Sequence, residues 1–375
     1  MGWGRLLWLA GLLAGGSEGD LPTDAGRFDR WFASGVAGTL DVPASVAGRA
    51  AGFRYVFVGG FRNERMPGYF AGNMAELKRL GVERRRMHVI LPSSKQTTSE
   101  NAREVRDRFL AIAEEGPERL VVVAHSRGAC DALAFALENP AFARDRVEAF
   151  YLIQGPFGGS GLASYLGGSG EPIDRRMRWP QRTVAHLAKT LARLVPGRRK
   201  REVVDSMTPE ASAAFWASAL DRDPETLALV GAKAFFIRSA IDPDRLGFIR
   251  RAMAWYLQTY HGRGDGVVTL EAQSLPGFGT VLATVEAGHS DLTCKRPSSR
   301  AHRRDRFALM ESLVMDVGSR ERAEPQSIRI GPSGPGGGGL DLREHAVPER
   351  QPRLQRHRRG ETGVSPAHGV VTADR

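Results

Sequence analysis

LVVVAHSRGACDAL, residues 120–133, runs an apolar stretch straight into a helical one. Residues 120–124 read as a short buried strand, and the pattern from Ser126 to about Leu137 reads as a helix. Between them stands Ala124-His125-Ser126-Arg127-Gly128, a small-x-Ser-x-Gly turn. A chain that passes so abruptly from strand to helix holds the central serine in a strained conformation and lifts its hydroxyl above the sheet, at the positive end of the helix. Side chains two before and two after the serine would collide with neighbouring elements, and both positions here are small. Ser126 is therefore the candidate nucleophile. A serine that merely caps a helix is the plain alternative, and the strand directly before it argues against that. Cys130, one helical turn on, suits packing better than chemistry.

Outward from this turn, other short runs rich in Val, Ile and Phe read as buried parallel strands: 54–59 (RYVFVG), 87–91 (MHVIL), 147–153 (VEAFYLI), 232–237 (AKAFFI) and 281–285 (VLATV). Helical patterns lie between them. In SENAREVRDRFLAIAEE, Val105, Phe109, Leu110 and Ile112 share an apolar side and Ser99 can cap the start. Alternation of strand and helix predicts an α/β fold with a doubly wound, mostly parallel sheet, spanning residues 50–320. The alternation lapses over 156–230, where helical stretches at 182–195 and 209–220 fit a lid or cap inserted over the strand ends. Residues 321–375, with GPSGPGGGG at 331–339, have a flexible composition rich in Gly, Pro and Arg that cannot bury a core, and are expected to be disordered.

Serine needs a base within hydrogen-bond reach, and the base needs an orienting carboxylate. Of the nine histidines, His289 in EAGHSD falls just past the last expected strand. Asp265 in GRGDGVV, flanked by glycines ahead of an apolar pair, is placed to present a carboxylate from a loop. Asp242 and Asp244 in AIDPD compete for that role. An oxyanion site needs two backbone N–H groups. Arg127, directly after the serine, supplies one. Phe61 in FVGGFRNE supplies the other, with Gly60 as the alternative, since glycines there let the backbone approach a substrate.

Composition narrows the partners. The 375 residues carry a formal charge of +11, and 42% of them are hydrophobic, enough for a full core. The arginines crowd the C-terminal region and one middle segment, so nucleic-acid binding is not expected. Two cysteines, Cys130 and Cys294, allow one disulfide and offer no zinc spacing. Arg5 precedes an apolar run and small residues, so residues 1–16 resemble a secretory signal too short to span a bilayer. The expected location is secreted or periplasmic, with cytoplasmic as the alternative. In RTVAHLAKTLARLV, Val184, Leu187, Leu191, Leu194 and Val195 form an apolar stripe ahead of GRRKR at 197–201, which suits peripheral contact with an anionic lipid surface.

These fragments resemble, in order, the bacterial lipase branch of the α/β-hydrolase superfamily across roughly Tyr55 to Leu313. VFVGGF is similar to that family's VLVHGF strand and oxyanion loop, with Gly59 in place of its histidine. AHSRGA is similar to its GHSxGG elbow, with Ala124 in place of glycine and the cation of Arg127 beside the nucleophile. IQGPFGGSGLASYL resembles its GTPHxGSxxADxL segment, and VVDSMTPEASAAFW, at 203–216, a lid-region segment. GRGDGVV resembles the NDGLV segment and AGHSDL the HxD segment, so the resemblance gives Asp265 the acid's place and His289 the base's. It implies a serine hydrolase of carboxylic esters, lipase- or esterase-like, that needs no cofactor. Some such lipases hold a structural calcium, for which Asp242 and Asp291 are loose matches. Thioesterase, amidase or polyester depolymerase chemistry on the same residues, or a non-catalytic binding protein of the same fold, are the competing functions.

Overall fold

Successive side chains of a strand face opposite sides of its sheet, and the four central strands of this protein bury both sides. The computed structural model describes residues 24–61, 63, 66, 68–167, 169–170, 172–173, 177, 181–183, 198–294 and 304–320. The chain divides into two units, 1–321 and 322–375, and all described residues belong to the first. In chain order they form α1 (Asp24–Ala37), α2 (Ala44–Ala50), β1 (Arg54–Val58), α3 (Ala71–Arg79), β2 (Met87–Ile90), α4 (Thr98–Glu114), β3 (Leu120–His125), α5 (Arg127–Glu138), α6 (Pro140–Arg146) and β4 (Val147–Ile153). After β4 come α7 (Gly161–Gly167), α8 (Arg198–Asp205), α9 (Pro209–Ala219) and α10 (Pro224–Gly231). Then follow β5 (Ala234–Ala240), α11 (Phe248–Tyr260), β6 (Thr280–Glu286) and α12 (Asp305–Ser319).

The six strands form one sheet in the order β2-β1-β3-β4-β5-β6, every neighbouring pair parallel. Tyr55 and Phe57 of β1, Val121 and Val123 of β3, and Tyr151 and Ile153 of β4 join one core cluster. Their alternating neighbours Val56, Val58, Val122, Ala124, Phe150 and Leu152 join the other. This two-sided burial explains why the strands read as continuous apolar runs.

One face is covered by α3, α12 and two helices ahead of residue 50. Phe28 and Phe32 of α1 and Ala50 of α2 pack in the same cluster as Leu309, Leu313 and Val317 of α12. The spacing Phe28, Phe32, Val36 is one helix face in the sequence, so the core begins earlier than the strand pattern indicates. On the other face α4 starts at Thr97 rather than Ser99. Thr97 Oγ1 accepts the Glu100 N–H and the Glu100 carboxylate accepts the Thr97 N–H, a capping box that contributes about 1 kcal/mol.

The described part of the segment after β4 is fastened to the core. Trp216 of α9 is buried in the cluster that contains Phe157 and Phe236. The apolar stripe at 184–195, the basic side chains at 198–201, the signal-like residues 1–16 and the tail 321–375 lie outside the described residues. Among the described residues no helix is long and apolar enough to cross a membrane. Cys130 and Cys294 are both buried and free.

Candidate active site

In the strand order, β1 leads outward to β2 on one side while β3 lies on its other side. The crevice beyond the carboxyl ends of β1 and β3 is the switch point, where open α/β sheets bind ligands. Both chain ends that enter it carry candidates: Gly59-Gly60-Phe61 after β1 and Ser126 after β3.

Ser126 has φ +56° and ψ −135°, a conformation that costs a non-glycine residue of order 1–3 kcal/mol. Its neighbours enforce it. A Cβ on Gly128 would lie 2.5 Å from the carbonyl oxygen of Gly59 and 2.7 Å from that of Val58, so only glycine lets α5 start this close to β1. A Cβ on Gly60 would lie 2.6 Å from Ser126 Cβ. The Ser126 N–H donates to the Ile153 carbonyl at 2.9 Å, which ties the turn to the end of β4.

The sequence candidates meet. Ser126 Oγ lies 2.9 Å from His289 Nε2, and His289 Nδ1 lies 2.7 Å from Asp265 Oδ2. The Asp265 side chain is fully buried, and its Oδ1 accepts the N–H groups of Val267 and Val268, each at 2.9 Å. The His289 N–H donates to the Asp265 carbonyl at 3.0 Å, so base and acid loops are also joined through the backbone. The competitor Asp242 instead accepts the Asp244 N–H at 2.9 Å and closes its own turn.

Of the two oxyanion candidates after β1, Gly60 is engaged: its N–H donates to Tyr69 Oη at 3.1 Å. Phe61 is the next amide along from Gly60, which approaches Ser126 closely. Arg127 is the first residue of α5, so its N–H precedes the helix's own acceptors.

A buried network that sequence reasoning did not find runs beneath these groups. The His125 ring donates from Nε2 to the His289 carbonyl at 2.7 Å, with Gln154 Oε1 at 3.0 Å from the same nitrogen. Its Nδ1 then accepts from Tyr69 Oη at 2.5 Å. Burial, reinforced by the charge His289 can carry, pushes the His125 pKa down to about 3, so the ring is neutral. Gln154 Nε2 donates to Ser239 Oγ and, at 3.2 Å, to the Gly288 carbonyl. Gln273 Nε2 donates to the carbonyls of Ser239 at 2.8 Å and Val268 at 3.2 Å. Oxyanion loop, base loop and acid loop are thereby linked. Gln154 itself has φ +50° and is fully buried. Its signal in the sequence is one polar residue closing the run VEAFYLI; Tyr69 and Gln273 give no comparable sign.

On the other side of Ser126, the Arg127 side chain is buried. Nη1 and Nη2 donate to the carbonyls of Gln96 and Ser93 at 2.9 and 2.6 Å, and the guanidinium stacks 5.4 Å from the Phe61 ring. Arg127 Nε lies 3.8 Å from Asp131 Oδ2, which accepts from Asn101 Nδ2 at 3.0 Å. Burial outweighs the Arg127 charge and pushes the Asp131 pKa up to about 7.

Asp242 and Asp291, the loose matches for a calcium site, each serve a local turn. Asp291 Oδ2 accepts the Gly288 N–H at 2.9 Å, as Asp242 serves its own turn. Among the described residues no three His, Cys, Asp or Glu side chains gather, whereas calcium takes about six to eight oxygens.

No protein-family model matches the chain. No curated protein matches it. Among solved structures it is similar to a metagenomic carboxyl esterase, with a TM-score of 0.51, 20% identity, and 71% of this chain and 76% of that one covered. A lipase of Bacillus licheniformis in its mature form gives a TM-score of 0.47 at 19% identity, with 70% and 91% covered. A thioesterase from the prodiginine biosynthetic pathway in Streptomyces coelicolor gives 0.33 at 14%, with 71% and 91% covered. The likeness to the esterase shows the fold: this chain has the α/β-hydrolase fold.

Proposed function

We propose that the protein is a serine hydrolase of carboxylic esters, with Ser126 as nucleophile, His289 as base and Asp265 as the acid that orients it. One observation carries the reading: the unbroken hydrogen-bonded line Ser126 Oγ–His289 Nε2, His289 Nδ1–Asp265 Oδ2, in a residue order shared with the fold. Asp265 fixes the tautomer, so His289 Nε2 is the acceptor for the Ser126 proton.

In the first half-reaction Ser126 Oγ attacks the ester carbonyl carbon as its proton passes to His289 Nε2. The carbonyl electron pair moves onto oxygen, and the N–H groups of Phe61 and Arg127 receive that oxyanion, each worth on the order of a hundredfold in rate or more. Collapse breaks the C–O bond, and the imidazolium gives its proton to the departing alcohol. In the second half-reaction a water loses a proton to His289 and attacks the acyl carbon, and Ser126 regains its proton as the carboxylic acid leaves. Ester and water become acid and alcohol.

A fluorophosphonate probe, which reacts only with an activated serine, is expected to label the wild-type protein and leave Ser126→Ala unlabelled. A p-nitrophenyl ester should be hydrolysed by the first and not the second. Hydrolysis that survives in Ser126→Ala would sink the assignment. Thioesters and amides undergo the same acyl transfer, and a panel of the three at fixed acyl group ranks them. Export and contact with an anionic lipid surface through residues 197–201 remain proposals from the sequence, the second testable by vesicle co-sedimentation.

A further inference from the structure

A cavity of about 250 Å³ lies beside the elbow, walled by Arg127 and Cys130 of α5, the start of α4, Pro156 after β4, and the segment that leads into and through α9. Arg127 directly follows Ser126, and Pro156 lies just past Ile153, whose carbonyl takes the Ser126 N–H. The cavity therefore lies one residue along the chain from the nucleophile, on the Arg127 side. On the ester-hydrolase reading above, we propose that it is the acyl subsite, and that it takes a short acyl chain bearing a hydroxyl or other hydrogen-bonding group, not a long hydrocarbon chain.

Size is the first argument. The cavity, at about 250 Å³, falls short of the range of about 300–1,000 Å³ over which pockets bury whole drug-sized ligands, which favours a short acyl chain over one of twelve carbons. Rigidity is the second, because a wall that yields sets no limit. The Ser160 N–H donates to the Met207 carbonyl at 2.8 Å, and a Cβ on Gly159, φ +75°, would fall 2.6 Å from the Thr208 carbonyl oxygen. The loop after β4 and the entry to α9 are thus pressed together backbone to backbone. Trp216 packs 5.4 Å from Phe157, which packs 5.0 Å from Phe236 of β5. The α9 wall is part of the core.

Chemistry is the third argument. Five hydroxyl-bearing residues, Thr97, Thr98, Ser99, Ser206 and Ser212, share the lining with Arg127 and with the apolar residues Met207, Ala211, Phe215 and Trp216. Thr97 and Ser206 are engaged with Glu100 and the Val203 carbonyl. Ser212 is buried. A plain alkyl chain would strip water from these groups and return nothing. A chain with its own hydroxyl restores the bond, and a site built to bond a hydroxyl discriminates strongly against the analogue without it.

The test keeps the alcohol constant and varies the acyl group: ethyl butyrate, ethyl β-hydroxybutyrate, ethyl hexanoate and ethyl dodecanoate with the purified full chain. The expected kcat/KM for the hydroxybutyrate is about tenfold above butyrate, and that for dodecanoate at least tenfold below hexanoate. Ser212→Ala should narrow the first ratio. Phe215→Ala should raise dodecanoate relative to hexanoate, and Phe215→Trp should lower hexanoate relative to butyrate, so the opposed pair separates cavity size from misfolding. Fluorophosphonate labelling of the same samples separates the two levels of inference. Label with equal or better turnover of dodecanoate, or a hydroxyl ratio of one that Ser212→Ala does not move, overturns the acyl subsite and leaves the hydrolase standing. No label and no hydrolysis of any ester overturns both.

Discussion

The two flanks of Ser126 are built on opposite principles. On the His125 flank, Tyr69, His125, Gln154, Ser239, Gln273 and the Asp265 carboxylate are all buried or nearly so, and each polar side-chain atom among them has a partner. On the Arg127 flank, Arg127 Nε and Asn101 Oδ1 are buried with no hydrogen-bond partner among the described residues, and a cavity lies beside Arg127. A fully satisfied network specifies one arrangement, whereas a partly satisfied one keeps unspent polar capacity. On the proposed reading, the first flank fixes where the reacting atoms sit, and the second carries the proposed acyl subsite.

The sharpest test of the first flank removes the groups it positions. Ser126→Ala and His289→Ala should each lower kcat on a p-nitrophenyl ester by on the order of a million-fold with unchanged melting temperature. Asp265→Asn should cost on the order of a thousand- to ten-thousandfold, because the amide no longer fixes the tautomer of His289. A fully active Asp265→Asn beside an inactive Asp242→Asn would move the acid to the other loop.

Gly60→Ala is expected next in size. Its Cβ would sit 2.6 Å from Ser126 Cβ and 3.0 Å from Ser126 Oγ, and a displacement near 1 Å costs about a hundredfold in rate. The accompanying loss of stability should be about 1–3 kcal/mol, read by urea unfolding. A kcat within twofold of wild type would mean that the oxyanion loop is not held where its contacts put it.

Tyr69→Phe probes the network at one remove from the chemistry. It leaves the buried Gly60 N–H without its acceptor and His125 Nδ1 without its donor, which costs about 1–3 kcal/mol for each group left unpaired. The expected kcat loss is about tenfold with KM nearly constant, since the hydroxyl positions the machinery and touches no substrate. A change confined to KM would place Tyr69 on the substrate side instead.

These contrasts follow what the sequence makes legible. The elbow, the strands and the loops of Asp265 and His289 are readable because each is a local pattern: an apolar run, a small residue at a fixed offset, a turn. The engagement of the Gly60 N–H is not, because it depends on a tyrosine hydroxyl arriving from nine residues on. Helix α1 has its phenylalanines at helical spacing, but its burial is settled by α12 from the far end of the domain. The cap at Thr97 rather than Ser99 turns on reciprocal bonds with Glu100, a pairing visible as Thr-x-x-Glu. The segment after β4 loses the strand rhythm, so only its contacts reveal that Trp216 is core.

The smallest expected effect compares the flanks directly, through their titratable groups. Unfolded, His125 binds a proton below about 6.5, whereas folded it does so only below about 3. Between those values the unfolded chain holds the extra proton, and this group makes stability rise with pH. Asp131 runs the other way. Its folded pKa is raised from 3.8 to about 7, so between those values the folded chain holds the extra proton and stability falls as pH rises. The windows overlap from pH 3.8 to 6.5, and each proton is worth about 1.4 kcal/mol per pH unit, so in wild type the two slopes nearly cancel there. Asp131→Asn removes one of them. Its stability minus that of wild type, from urea unfolding at pH 4.5, 5.5 and 6.5, should fall by up to about 1.4 kcal/mol for each unit of acidification. Every other carboxylate is common to both proteins and drops out of the difference. Parallel curves would mean that Asp131 is charged throughout the window.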